Sequence, residues 1–184
     1  MLDVLARWLV SLSLAAAAAN AARVTTQPPV LQLTRADEPG ERLALEVAIV
    51  DRAARPVALA RAHVYQTDAT GRYTRERAMD EPHARLAGRV TSDGAGRFDL
   101  DTVRPGGYPR ALRLGDRDRH IPAHIHVDVT APGHAERKFQ VVFADDSLLV
   151  DPYWINWVRE LGEPVVSLTR DGARWRGRAT LVIP

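Results

Sequence analysis

The chain has 184 residues, a length that favours one domain or at most two small ones. Hydrophobic residues make up 46% and charged residues 26%, which is ordinary globular usage and excludes a disordered tail, a collagen and a coiled coil. The absence of cysteine excludes disulfides, zinc-thiolate sites and a cysteine nucleophile, and the net charge of +2 is too balanced for a protein that binds nucleic acid or a membrane surface.

Residues 1–21 have the features of a secretory signal peptide. A 12-residue apolar run follows Arg7, and Ala19-Asn20-Ala21 is a small-residue cleavage pattern. The run is too short to span a bilayer of about 30 Å, so stable membrane insertion is not expected. The alternative is an N-terminal helix packed on the domain, but the alanine run has no amphipathic period. We therefore expect an exported protein, periplasmic or extracellular.

Residues 22–42 are predicted to be an extended lead-in to a single domain over residues 43–184. The alternation of Leu43, Leu45, Val47 and Ile49 with smaller or polar residues predicts a strand with one buried face. The further predicted strands are Ala62–Thr67, Leu86–Thr91, Arg97–Thr102, His124–Val129, Arg137–Phe143, Val165–Leu168 and Ala179–Ile183.

The one good helical candidate is Pro152–Leu161, where Trp154, Trp157 and Leu161 recur at helical spacing. Turn signals rich in glycine, proline and aspartate separate the short strands. This pattern predicts an all-β fold, an antiparallel β-sandwich with one short C-terminal helix, in a single domain.

His124-Ile125-His126 is the sharpest chemical feature. Residues i and i+2 of a strand point to the same face, so the two imidazoles would project together, about 7 Å apart at Cα, while Ile125 faces the other side. Such a pair can converge on one metal ion, although two surface histidines would show the same pattern. With no cysteine and no second histidine motif, any further ligands would be oxygen donors.

Two tyrosines occupy positions that a core residue would rarely take. Tyr73 follows the glycine turn at Gly71, and Tyr108 lies in the rigid proline- and glycine-containing loop Thr102–Pro109. A loop tyrosine is usually a packed aromatic with a solvated hydroxyl. Together with the two histidines, however, two phenolates would form an anionic N2O2 site that suits Fe(III).

Several segments, in this order, resemble the intradiol ring-cleavage dioxygenases, the non-haem iron enzymes that include catechol and protocatechuate dioxygenases. The resemblance covers roughly residues 43–184 and is closest to the compact, exported members. The matching segments are His63–Tyr73 (HVYQTDATGRY), Leu86–Asp93 (LAGRVTSD), Gly96–Phe98, Thr102–Pro109 (TVRPGGYP), Ala123–Val127 (AHIHV), and Gln140 with Phe143.

The resemblance implies that Tyr73, Tyr108, His124 and His126 bind one Fe(III) ion within a β-sandwich. It also implies that Tyr108 is the ligand displaced when substrate binds the metal, and that Gln140 is a polar active-site residue. The expected activity is cleavage of a small aromatic diol between its two hydroxyls, with O2, to a muconate-type diacid.

One position departs from the family pattern. Catalytic members usually carry an arginine three residues before the first histidine, where this chain has Ile121. That arginine stabilises negative charge on the bound ring, and Arg110 or Arg119 could replace it from the same loop. The departure keeps open a second interpretation, a non-catalytic exported β-sandwich that binds iron or catecholates.

A third interpretation is a zinc or copper hydrolytic site on the same strand. Its general base would be Asp128, which shares a face with His126. A solvated strand residue is the simpler explanation of this carboxylate.

We predict that the mature chain begins near Ala22. Mass spectrometry of protein recovered from the periplasm or medium should give a mass that lacks residues 1–21, because the small-residue pattern ends there. Recovery of only the intact form, from the cytoplasm, would contradict the predicted export.

Overall fold

A computed structural model describes residues 27–75, 81–109 and 120–184. The predicted signal peptide, Arg110 and Arg119 lie outside these ranges. The described residues form twelve strands, one α-helix and two short 3-10 helices. The strands are β1 (Val30–Gln32), β2 (Arg42–Asp51), β3 (Arg61–Gln66), β4 (Leu86–Thr91), β5 (Arg97–Val103), β6 (Tyr108–Pro109), β7 (His120–Ile121), β8 (His124–Thr130), β9 (Arg137–Phe143), β10 (Val165–Val166), β11 (Thr169–Asp171) and β12 (Arg174–Ile183). The α-helix, α1, spans Pro152–Leu161, and the 3-10 helices span Glu81–His83 and Ser147–Val150.

Ten of these strands form two five-stranded sheets. Sheet 1 has the order β1-β5-β2-β12-β11 and sheet 2 the order β10-β9-β8-β3-β4. The predicted β-sandwich is confirmed, but the sheets are mixed, because β12 runs parallel to β2, β1 to β5 and β10 to β9. An alternating pattern identifies the buried face of a strand and carries no information on its direction.

The core lies between the two sheets. Leu43, Leu45, Val47 and Ile49 of β2 are all buried, as their alternation predicts. Sheet 2 contributes the residues of β8 that alternate with its histidines, such as Ile125, which is fully buried. Each large aliphatic side chain moved out of water contributes about 1.5–3 kcal/mol, so these alternating rows are a main source of stability.

Four short strands, β1, β6, β7 and β11, were not among the predicted elements. Each has only two or three residues, too few to show a period. β12 begins at Arg174 rather than at the predicted Ala179, because its first residues pair with β11 in a hairpin around Gly172.

Helix α1 has the predicted bounds, and local signals set both ends. The Asp151 side chain accepts a hydrogen bond from the backbone N–H of Tyr153, and Pro152 occupies the first turn. Gly162 ends the helix with a left-handed φ of 62°. No helix among the described residues is long and apolar enough to cross a membrane.

Buried hydrogen bonds connect the loop after β3 with the loop after β5. Gln66 is fully buried, donates from Nε2 to the carbonyl of Val103 (2.9 Å) and accepts from Oγ1 of Thr102 (3.0 Å). Thr67 donates to the carbonyl of Gly106 (2.8 Å). These are the loops that carry Tyr73 and Tyr108, so the contacts fix the two tyrosines relative to one another.

The same two loops touch through glycines. A Cβ added to Gly71 would overlap the carbonyl oxygen of Gly107, and a Cβ on Gly106 would lie 2.6 Å from the nitrogen of Gly71. Gly71 also has a φ of 80°, which other residues rarely adopt. The close approach of the loops therefore requires glycine at this position.

We expect Gly71→Ala to lower the free energy of unfolding by more than about 2 kcal/mol, because it adds backbone strain and steric overlap together. Gly133→Ala is the matched control, since Gly133 has a similar φ of 78° and nothing within 4 Å of an added Cβ. Urea unfolding measures the loss of stability in both variants, and the difference between them is the cost of the steric overlap at Gly71. Equal losses would show that the contact between the two loops tolerates a Cβ at this position.

Candidate metal centre

The four predicted metal ligands converge on one buried point. Oη of Tyr73 lies 3.1 Å from Oη of Tyr108 and 3.0 Å from Nε2 of His126. Nε2 of His126 lies 3.0 Å from Nε2 of His124. Residues from β8 and from two separate loops thus bring two nitrogens and two oxygens together.

Strand geometry positions the histidines as the sequence predicts. His124 and His126 both lie on the outer face of sheet 2, with Ile125 in the core between them. The carbonyl of Pro122 can only accept, so His124 donates to it from Nδ1 (2.7 Å), which leaves Nε2 unprotonated in the neutral ring. Tyr65 of β3 stacks on His126 with the rings 4.4 Å apart and 5° from parallel.

The tyrosines reach the histidines from the loops. The carbonyl of Tyr73 accepts a hydrogen bond from the backbone N–H of Arg85 (2.7 Å), and Arg85 forms a bidentate ion pair with Glu38. Tyr108 lies on β6, which pairs with β7 so that Tyr108 faces Ile121, three residues before His124. Both tyrosines are therefore held by backbone contacts near the ring.

Burial controls the charge of the four groups. Their exposed fractions are 1% for Tyr73, 3% for Tyr108, 3% for His124 and 7% for His126. Burial lowers the pKa of His124. Burial, and secondly the repulsion that a protonated His124 would exert, lowers the pKa of His126 to about 3. Both imidazoles are therefore neutral. Burial raises the pKa of Tyr108 to about 12 and that of Tyr73 further, so both phenols keep their protons without a cation nearby.

One set of hydrogen bonds satisfies the cluster in the protonated state. With its proton on Nε2, His126 donates to the unprotonated Nε2 of His124 (3.0 Å). The hydroxyl of Tyr73 can donate to Oη of Tyr108 (3.1 Å), and the hydroxyl of Tyr108 donates to Glu81 (3.4 Å). A metal ion satisfies all four donors, and two phenols that ionise beside it with two neutral imidazoles suit Fe(III).

The two tyrosines are needed to complete a set of metal ligands at this site. Among the described residues, no group of three or more histidines, aspartates or glutamates is placed to hold a metal ion. Asp128 shares the outer face of β8 but lies 3.9 Å from the ammonium of Lys138 and does not border the site cavity.

A cavity of about 240 Å³ opens beside the four donors. Gln140 borders it from β9, where it is paired with His126 of β8, so the predicted active-site glutamine lies beside the cluster. Tyr108 also borders the cavity and Tyr73 does not. The described residues that line it are Glu81, Tyr108, Ile121, His126, Gln140, Tyr153, Trp154 and Trp157.

Several residues around this cavity were not predicted from the sequence. Glu81 comes from the 3-10 helix and accepts a long hydrogen bond of 3.4 Å from the hydroxyl of Tyr108. Tyr153, Trp154 and Trp157 come from the first turns of α1, whose aromatic residues have the spacing of a packing face. No sequence signal links either segment to the histidine motif, because the contact exists only in the folded chain.

Asp146 is a further residue that the sequence motifs leave unassigned. Its Oδ2 accepts from the backbone N–H of Ala123 (2.8 Å), next to His124, and its Oδ1 accepts from Leu148 (2.9 Å) at the start of a 3-10 helix. Its neighbour Asp145 pairs with Arg104 on the loop that carries Tyr108. An aspartate before a short apolar run signals a helix cap, but only the structure shows that it also fixes the start of β8.

The chain is similar to known proteins in both sequence and fold. A protein-family model described as dioxygenase matches residues 17–170. The chain is 29% identical over 162 residues to chlorocatechol 1,2-dioxygenase of Rhodococcus opacus, a match that covers 83% of this chain and 63% of the relative. It is 31% identical over 121 residues to the protocatechuate 3,4-dioxygenase beta chain of Burkholderia cepacia, covering 61% of this chain and 49% of the relative. The chain thus spans less than two thirds of the length of these relatives.

Solved structures show the same fold. The dioxygenase domain of a dioxygenase and carbohydrate-binding protein fusion from Streptomyces sp. SirexAA-E superposes with a TM-score of 0.60 at 24% identity, covering 84% of this chain and 86% of that chain. Catechol 1,2-dioxygenase from Acinetobacter sp. ADP1 superposes with a TM-score of 0.66 at 20% identity, covering 84% and 56%.

We expect His124→Ala and His126→Ala each to lower bound iron by about tenfold or more while the fold is retained, because each removes a ligand outside the core. The iron-to-protein ratio and the far-ultraviolet circular dichroism spectrum measure the two effects. His134→Ala should leave the ratio unchanged, because His134 lies in the loop beyond the other end of β8, where its Nδ1 is 2.9 Å from the carbonyl oxygen of Pro184. Full iron retention in both strand variants would refute the assignment.

Proposed function

The chain belongs to the intradiol ring-cleavage dioxygenase family, and we propose that it is an Fe(III) dioxygenase that cleaves a catechol-type ring between its two hydroxyls with O2. One observation carries the proposal: four buried donors, two imidazoles and two phenols, are linked by contacts of 3.0–3.1 Å at the wall of a cavity. A cavity of about 150 Å³ can hold benzene, so the 240 Å³ found here accommodates one substituted ring.

Tyr73, Tyr108, His124 and His126 would hold the iron. When bound, Fe(III) supplies Lewis acidity that favours the ionised forms of the phenols and of the diol, and it allows the electron-rich ring to react with O2. The protein supplies ligand geometry and a pocket that excludes water.

Tyr108 is the tyrosine that an incoming diol meets, because it borders the cavity whereas Tyr73 lies behind it. A diol that binds as an anion must release protons, and Oη of Tyr108 is placed to receive one. The contacts of Oη with Tyr73 (3.1 Å) and Glu81 (3.4 Å) give the protonated hydroxyl two partners. These contacts support the role of a displaced ligand for Tyr108.

The proposed reaction balances without a reductant. The carbon–carbon bond between the two hydroxyl-bearing carbons breaks, and one atom of O2 joins each of these carbons. The product is a muconate-type diacid that contains all the atoms of the diol and of O2. Gln140, half-buried beside His126, is placed to donate a hydrogen bond to the bound ring oxygens or to the incoming O2.

One observation favours a second candidate function, an exported protein that binds iron or catecholates without turnover. Ile121 borders the cavity at the position where the family pattern has an arginine, so an apolar side chain replaces a cation. Arg110 and Arg119 lie outside the described residues. For both candidates we propose export, on the basis of the predicted signal peptide.

Oxygen uptake tests the proposed function. We expect the iron-loaded protein to consume O2 with catechol-type diols and to show a visible phenolate-to-iron charge-transfer band. Tyr108→Phe should slow turnover by about 100-fold or more, the range for loss of a proton-transfer group, while weakening the visible band and retaining most of the iron.

Tyr73→Phe is the matched comparison, since Tyr73 is the buried phenol that the diol does not meet. It should reduce iron loading more than Tyr108→Phe does. An iron-loaded, coloured wild-type protein that consumes no O2 with any of several catechols would refute the enzyme and favour the binding protein.

A further inference from the structure

The cavity beside the metal centre has an anionic and aromatic lining. Glu81 is the one charged side chain among the described residues that border it. Its Oε1 lies 3.4 Å from Oη of Tyr108, so the carboxylate borders the cavity next to one of the four donors. The lining therefore has the opposite charge from one built to bind a carboxylated ring.

No described cation offsets this carboxylate. Ile121 faces Tyr108 across the β6–β7 pair and offers only a hydrocarbon surface. The ammonium of Lys138, on the same sheet, lies 3.9 Å from Asp128 and 4.0 Å from Glu136, and it does not border the cavity. Among the described residues that border the cavity, no positive charge offsets Glu81 for an anionic substituent on the ring, and like charges in a partly buried site repel strongly.

The other wall consists of aromatic rings from α1. Trp154 packs edge-on against Tyr153, with ring centroids 4.9 Å apart, and against Trp157, with centroids 5.6 Å apart. Trp154 is 4% exposed whereas Tyr153 is 38% exposed, so the wall runs from the protein interior to the surface. Aromatic faces attract cations through the quadrupole of the ring, and tryptophan does so most strongly.

We propose that this site selects diols that carry a protonated amine, a catechol with a short aminoalkyl side chain, over neutral and carboxylated catechols. The diol oxygens face the four donors, and the ammonium lies between the Glu81 carboxylate and the aromatic wall of α1. A carboxylate beside tryptophan and tyrosine is a combination that recognises alkylammonium groups. The inference rests on the proposed function, because it assumes that the diol binds at the metal centre.

Anaerobic calorimetry tests this selection without turnover. The iron-loaded protein is titrated, in the absence of O2, with dopamine (cationic), ethylcatechol (neutral) and dihydroxyphenylacetate (anionic). The alkylammonium group stays protonated at neutral pH, as a lysine side chain does. We expect dopamine to bind about tenfold more tightly than ethylcatechol and dihydroxyphenylacetate to bind more weakly than either.

Glu81→Gln keeps the shape of the side chain and removes its charge. This variant should lose most of the preference for dopamine over ethylcatechol and should bind dihydroxyphenylacetate more tightly than wild type does. Glu160→Gln is the control, because it makes the same change at an exposed position of α1 that does not border the cavity. It should retain the wild-type order of affinities.

The outcomes separate the two proposals. Equal binding of the three diols, or an unchanged preference in Glu81→Gln, would overturn the amine selectivity and leave the dioxygenase proposal intact. Failure of all three diols to bind the iron-loaded protein would overturn the diol site itself, and the amine selectivity with it.

Discussion

The structure depends on crowding four polar side chains into one buried volume. Two imidazole nitrogens and two phenol oxygens there form a chain of contacts of 3.0–3.1 Å, which brings lone pairs of all four groups close together. Burial keeps the imidazoles neutral and the phenols protonated, so the cluster is prepared for a cation that displaces the phenol protons. Holding such a cluster together costs free energy, and the surrounding structure must supply it. The contacts that do so are the glycine-to-glycine approach of the two loops, the buried Gln66 bridge and the Asp146 contact to the start of β8.

Sheet 2 serves both the core and the site because its residues alternate between two faces. In β8, Ile125, Val127 and Val129 alternate with the outward-facing residues and lie in the core, whereas the two histidines lie on the outer face. The register then places Tyr65 on one side of His126 and Gln140 on the other. A shift of one residue in this register would turn the imidazoles into the core between the sheets and the core residues onto the outer face, so the hydrophobic pattern of β8 also determines the orientation of its ligands.

Much of this arrangement can be predicted from sequence where a local rule applies. Alternation identifies the buried face of β2 and the shared face of His124 and His126, and the spacing of Trp154, Trp157 and Leu161 identifies α1. The tyrosines become candidates only through motif order, since nothing local distinguishes a ligand phenol from a packed one. The parallel pairing of β12 with β2 was not predicted, because periodicity does not encode strand direction. Glu81 and the aromatic residues of α1 could not be assigned either, because the cavity they border exists only once distant segments have packed.

The position of β12 has a consequence for how the chain acquires this structure. β12 lies inside sheet 1, between β2 and β11, and pairs with β2 along ten residues. A contact within this pair, Arg178 with Glu46, joins positions 132 residues apart. The pairs β2–β5 and β1–β5 can form earlier, but sheet 1 is complete only once β12 has been synthesised. Closure over so long a loop slows folding, and the apolar surface that stays exposed until then favours aggregation.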